Sequence, residues 1–221
     1  MGYPFELWLV IIASLLSASL PAGTPGQQPN GATQNRDEQV KAFLESHGHQ
    51  WRDLNVPEAD GRLLHDLVIK HGYKRALEIG TSTGHSGIWI AWALTKTGGK
   101  LITLELDEQR HKSALANFRE AGLSDIIDAR LGDAHELVPR LAGSFDFVFC
   151  DADKDWYKNY LAAVLPRLEL GGCFAAHNVS QSRYGWSGEY LNYARSQPDL
   201  ETTVISSSSS GLALSFKKPA K

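Results

Sequence analysis

Two rhythms alternate along the chain from Asn35 onward. Stretches with apolar residues at helical spacing give way to short continuous apolar runs, and back again. Helices are expected over 36–47 and 58–71; in the second, Leu63, Leu64, Leu67 and Val68 share one face. The runs at 75–79, 100–106, 126–131, 145–151 and 172–177 read as strands, with helices between them over 85–96, 108–121, 134–141 and 155–168. Strands that are apolar throughout, not at every second position, are buried on both faces. Followed by helices, they predict an α/β domain with a parallel sheet covered on both sides. Gly98-Gly99, Gly122 and Gly171-Gly172 read as helix stops ahead of strands. The tail differs: 201–205 and 212–217 read as two strands, joined by a serine-rich stretch (206–211) taken as a flexible hairpin loop.

The first 34 residues stand apart. Residues 7–20 form a mostly apolar run, shorter than the about 20 residues of a membrane span. It fits a signal-peptide core followed by Pro21-Ala22-Gly23, although Glu6 and no basic residue precedes it. Residues 24–34 have linker composition and are expected to be disordered. Three readings stand for this segment: a cleaved export signal, an uncleaved anchor, or a misassigned start. The expected organisation is a signal or anchor plus linker over 1–34 and one domain over 35–221. Export to a periplasmic or extracellular space, or anchoring, follows from the first two readings, and the cytoplasm from the third; a membrane enters only through an uncleaved segment.

A formal net charge of −3 with no basic stripe excludes nucleic acid as an expected partner. Cys150 and Cys173 lie in apolar runs without metal spacing and read as small buried hydrophobes. A disulfide requires neighbouring strands with facing Cβ atoms.

Candidate chemistry sits where strands end. After the first strand comes Glu78-Ile79-Gly80-Thr81-Ser82-Thr83-Gly84-His85-Ser86-Gly87. Its glycine spacing departs from the G-x-G-x-x-G of dinucleotide sites, which argues against a nicotinamide dehydrogenase. It suits a ligand with a charged amino-acid end, whose carboxylate backbone N–H groups and Ser86 could meet. Glu105, near the next strand end, can accept from two ribose hydroxyls, while Asp107 suits a helix cap. Asp133, in Gly132-Asp133-Ala134, is either a helix cap or an acceptor for an adenine amino group. Asp151-Ala152-Asp153-Lys154 offers a metal-ligating carboxylate in Asp151 and a general base in Lys154. His177-Asn178 ends the following strand, so Asp151, His177 and Asn178 could face one cation. A hydrogen-bonded His177 without metal is the competing reading.

Taken in order, these motifs resemble the cation-dependent O-methyltransferases, the family of the catechol and caffeoyl-CoA enzymes. The resemblance runs through Asn55-Val56, the turn from Glu78 to Ser86, Glu105, Gly132-Asp133, Asp151 to Lys154 and His177-Asn178, and on to the terminal hairpin. It implies a Rossmann-like, seven-stranded, mostly parallel sheet in the order 3-2-1-4-5-7-6 with helices on both faces. It implies methyl transfer from S-adenosylmethionine to a hydroxyl of a small, phenolic or catechol-like molecule. The family's cofactor positions fall on Val56, Glu78, Gly80, Ser82, Ser86, Glu105, Asp133 and Ala134, its base on Lys154, and its metal ligands on Asp151, His177 and Asn178. Its divalent cation is Mg²⁺, but this chain has His177 where the family has aspartate, which leaves the metal's identity and presence open. Tyr184, Trp186 and Tyr190 fall in the family's acceptor-pocket region, and Glu201 where the catechol enzyme has a carboxylate that steadies a substrate hydroxyl. Relatives are often homodimers. Two alternatives remain: a metal-independent methyltransferase with His177 as base, and a non-catalytic cofactor-binding protein.

Overall fold

The computed structural model describes residues 31–180, 186–205, 208 and 210–219. The proposed signal segment (7–20) and Tyr184 lie outside them. None of the described helices is long and apolar enough to cross a membrane.

Two helices, α1 (Gly31–His47) and α2 (Glu58–His71), lead into β1 (Arg75–Ile79). Then follow α3 (His85–Thr97), β2 (Lys100–Glu105), α4 (Glu108–Glu120), β3 (Ile127–Leu131), α5 (Ala134–Arg140) and β4 (Phe145–Cys150). A 3₁₀ turn (Lys154–Trp156) opens α6 (Tyr157–Val164), a second (Leu165–Arg167) closes it, and β5 (Leu168–His177) follows. The chain closes with α7 (Trp186–Ser196), β6 (Leu200–Ile205) and β7 (Leu212–Lys217).

The strands form one seven-stranded sheet in the expected order, β3-β2-β1-β4-β5-β7-β6. β1 to β5 pair in parallel, and β7 runs antiparallel between β5 and β6. The apolar runs are explained by a core on each face. Ala76, Phe147, Phe149, Cys173, Ala175, Leu212 and Leu214 face the layer of α1 to α4. Leu77, Ile79, Val148, Cys150, Phe174, Ala176 and Ala213 face the layer of α5 to α7. Cys150 and Cys173 are both free: Cys173 pairs with Phe147, and Cys150 with Ala176.

Three expectations are corrected. α1 starts at Gly31, inside the stretch expected to be a linker. Gly171-Gly172 is no helix stop but lies within β5, where the register against β4 shifts between Phe145 and Phe147. Gly171, at φ +79, supplies the backbone for that irregularity. α7 occupies a region for which no helix was expected.

α2 and α3 meet at Gly61, whose side-chain position is filled by the Trp89 indole: an added Cβ would lie 2.2 Å from it. The close approach places the residue before it, the buried Asp60, at the carboxyl edge of the sheet beside His177.

Candidate active site

In an open α/β sheet ligands bind outside the carboxyl ends of the strands, beside the point where strand order reverses. Here that point lies between β1 and β4. A cleft of about 910 Å³ opens there. It gathers Gly80 and Ser82 after β1, Glu105 from β2, Asp133 and Ala134 after β3, Asp151 and Lys154 after β4, and His177 and Asn178 at β5. A smaller cavity of about 410 Å³ lies among Trp51, His85, Trp89 and Trp92. The expected acids and bases Glu105, Asp133, Asp151, Lys154 and His177 line the larger cleft.

Backbone builds one half of the cleft. Gly80 has φ +96, and a Cβ there would lie 2.6 Å from the Asp151 carbonyl oxygen, so the β1 and β4 exits touch through this glycine. Ser82 also takes a left-handed backbone, φ +49. It donates its N–H to Glu105 Oε2 at 2.7 Å, while the Asp107 N–H donates to Oε1 at 2.9 Å. The carboxylate is thereby aimed and keeps lone pairs for a ligand. Asp133 caps α5 by accepting from the His135 N–H at 2.8 Å, so the capping reading holds while its side chain still borders the cleft.

Three expected cofactor residues are placed elsewhere. Glu78 is fully buried below the turn, accepting from Ser86 Oγ and Thr103 Oγ1, each at 2.5 Å. Burial pushes its carboxyl up to about 8, despite those two hydrogen bonds. Ser86 is committed to Glu78 and does not line the cleft. Val56 borders the tryptophan-rich cavity, and its carbonyl meets His85 Nδ1 at 2.8 Å. These residues shape the turn from beneath.

Charge builds the other half. The Lys154 ammonium donates to Asp151 Oδ1 and, at 2.8 Å, shares a hydrogen bond with the Tyr157 hydroxyl. His177, 3% exposed, stands between two acids: Nδ1 is 2.9 Å from Asp151 Oδ2, and Nε2 is 2.9 Å from Asp60 Oδ2. Asp60 Oδ2 also accepts from Ser208 Oγ at 2.9 Å. Burial favours neutral histidine, but hydrogen bonds and charge from Asp151 and Asp60 outweigh it and raise the His177 pKa. Burial works against the ionised Asp151 as well, yet His177 and Lys154 hold its carboxyl below the ordinary value. Asp153 points aside, accepting from Tyr160 at 2.7 Å and lying 2.9 Å from His135 Nε2.

The expected metal ligands therefore do not form a ligand shell. Both His177 nitrogens face carboxylates, and both Asp151 oxygens face cationic N–H groups. Among the described residues no three His, Cys, Asp or Glu side chains are grouped to hold an ion. A divalent cation does not fit this donor set. Nor does the imidazole keep a lone pair with which to act as base. Two participants escaped the sequence reading. Asp60 is an acid in the first turn of α2 that no sequence motif singled out, and Ser208 belonged to the run taken as a flexible loop.

The aromatic wall is not assembled from Tyr190, which packs in the core against Tyr157 and Phe174. Glu201 lies exposed on β6 and pairs with Lys218 at 3.1 Å, away from the cleft.

A family model described as O-methyltransferase matches residues 34–202. The chain belongs to the O-methyltransferase family. Caffeoyl-CoA O-methyltransferase 1 of Eucalyptus globulus is 33% identical over 148 residues, covering 65% of this chain and 58% of that protein. Catechol O-methyltransferase of Niastella koreensis is 38% identical over 130 residues, covering 57% and 58%. The chain thus spans little more than half the length of these relatives. Among solved structures, the O-methyltransferase TomG from Streptomyces achromogenes, in complex with SAM, superposes with a TM-score of 0.71 at 27% identity, over 83% of this chain and 91% of that one. An O-methyltransferase from Bacillus cereus bound to SAH gives the same TM-score at 25% identity, over 87% and 94%.

Proposed function

We propose that this chain transfers a methyl group from S-adenosylmethionine to a hydroxyl of a small phenolic molecule. The observation that carries the reading is the single cleft at the β1/β4 switch point, which joins a backbone-built half to a half holding a lysine–aspartate pair. The cleft's volume lies near the upper end of the about 300–1,000 Å³ usual for small-molecule sites, which suits a cofactor with an acceptor beside it. The relatives' names support the acceptor class: they act on caffeoyl-CoA and catechol.

In this reading the Gly80–Ser82 turn receives the amino-acid end, Glu105 accepts from the ribose hydroxyls, and Asp133 and Ala134 border the base. The cofactor supplies an electrophilic methyl on a positively charged sulfur. Lys154 stands at the acceptor end; its neutral form takes the proton from the acceptor hydroxyl and becomes the ammonium that Asp151 and Tyr157 hold. The freed oxygen pair bonds the methyl carbon as the carbon–sulfur bond breaks and its electrons stay on sulfur. Orientation in the cleft contributes to the acceleration, by up to about 7–11 kcal/mol in favourable cases.

The test is calorimetric titration of S-adenosylmethionine into the full chain, followed by turnover with catechol and related phenols. Binding with methylated product is the expected result. Binding with no product across the panel would indicate a non-catalytic cofactor-binding protein, and absence of binding would overturn the reading.

A further inference from the structure

His177 sits where the family's metal ligand is expected, yet its surroundings are complete without a metal. An ionised carboxylate accepts hydrogen bonds and donates none, so two imidazole–carboxylate contacts at 2.9 Å call for an N–H on each ring nitrogen. Such a ring carries a positive charge and keeps no lone pair, and a metal-ligating histidine needs one. Each Asp151 oxygen already meets a cationic N–H, Oδ2 that of His177 and Oδ1 that of Lys154. The charges balance: Asp60 and Asp151 against His177 and Lys154. A divalent ion placed here would add two positive charges beside two cations. To ligate an ion shared with Asp151, His177 would have to give up the Nδ1 proton and the 2.9 Å contact that now joins it to Asp151, while Nε2 stayed on the almost fully buried Asp60.

We propose that methyl transfer by this chain needs no divalent cation, because the histidine clamped between Asp60 and Asp151 stands in the place of the ion. The proposal rests on the methyltransferase reading above and assigns Asp60 a part in the site. Asp60 is a positioning residue: it acts through His177, fixing the ring and the charge that orient Asp151 and, beyond it, Lys154. Ser208 ties the β6–β7 loop to the same carboxylate.

The full chain is stripped with a chelator, its metal content is measured, and two readouts follow. Turnover of catechol is compared with chelator and with added Mg²⁺, and Mg²⁺ alone is titrated calorimetrically into the protein loaded with S-adenosylmethionine. The expected results are turnover changed less than twofold and no Mg²⁺ binding below millimolar concentration. In the His177→Asp/Asp60→Asn double variant, which restores a carboxylate at 177 and removes the buried acid, Mg²⁺ binding should appear. A tenfold loss of turnover in chelator that Mg²⁺ restores, or stoichiometric micromolar Mg²⁺ binding to the wild-type chain, overturns the proposal. If the double variant fails to fold, the two wild-type measurements still decide. Failure of the parent reading looks different: no S-adenosylmethionine binds at all.

Discussion

Replacing Glu78 by Gln tests the account of the turn floor. Unfolded, this carboxyl has its ordinary pKa of 4.5; folded, it holds its proton up to about 8. Between those values the folded state binds more protons than the unfolded chain, so stability falls as pH rises. The loss starts near pH 4.5, is complete near pH 8 and is flat above it. At about 1.4 kcal/mol per pKa unit, the span amounts to about 5 kcal/mol at most. That is comparable with the whole stability of a small domain, about 5–15 kcal/mol.

Glutamine cannot ionise, and the local hydrogen bonds accommodate it. Its amide oxygen can accept from Ser86, and its N–H₂ can donate to Thr103 Oγ1, which then turns its own proton toward Thr81 Oγ1, 2.5 Å away. Urea unfolding of both proteins at pH 5 and pH 8.5 isolates the effect, because every other titrating group is shared. The expected outcome is a wild-type loss larger than the variant's by about 3–5 kcal/mol. Parallel pH dependences, agreeing within about 1 kcal/mol, would refute the buried, proton-holding Glu78.

Lys154→Met should lower kcat by about 10²–10⁴-fold, the usual contribution of a general base, while calorimetry finds S-adenosylmethionine affinity within a few fold of wild type. Gly80→Ala forces a side chain onto a φ of +96 and into the Asp151 carbonyl, so cofactor affinity should fall at least tenfold and the melting temperature should drop. Gly61→Ala gains about 1 kcal/mol of helix propensity but meets the Trp89 ring; overpacking of about 1–3 kcal/mol wins, and thermal unfolding should show a net loss. Raising pH within the range where His177 stays protonated should leave its two ring N–H signals visible by nitrogen-15 NMR; Asp60→Asn should weaken the one on Nε2, since its anionic partner is gone.

Much of the fold was legible because a sheet buried on both faces writes itself as unbroken apolar runs. The strand order was legible only through the family resemblance, since periodicity does not say which strands are neighbours. The misreadings have local causes. In β5 two glycines were taken for punctuation, although strand and bulge use them too. In α7 the sequence from Trp186 to Ser196 includes Gly188, which weakens a helical signal, and its aromatic residues drew attention to a pocket instead.

The cleft divides along the same line. Its backbone-built half is made by residues close in sequence to the turns that present them, so the strand-end places of Gly80, Ser82, Glu105 and Asp133 could be read one strand end at a time. Glu78 and Ser86 were picked out too, but a motif spacing does not reveal that two polar residues also meet each other, as these do at 2.5 Å. The half that holds His177 is a tertiary product. His177 and Asp60 are 117 positions apart, and Ser208 and Asp60 are 148 apart. Nothing local marks Asp60, because an acid in a helix's first turn is already accounted for by the helix dipole. What could be read was the mismatch, a histidine where a carboxylate belongs. A buried imidazole between two strand-end charges demands a partner for its second nitrogen, and that demand could have directed a search for one more buried acid.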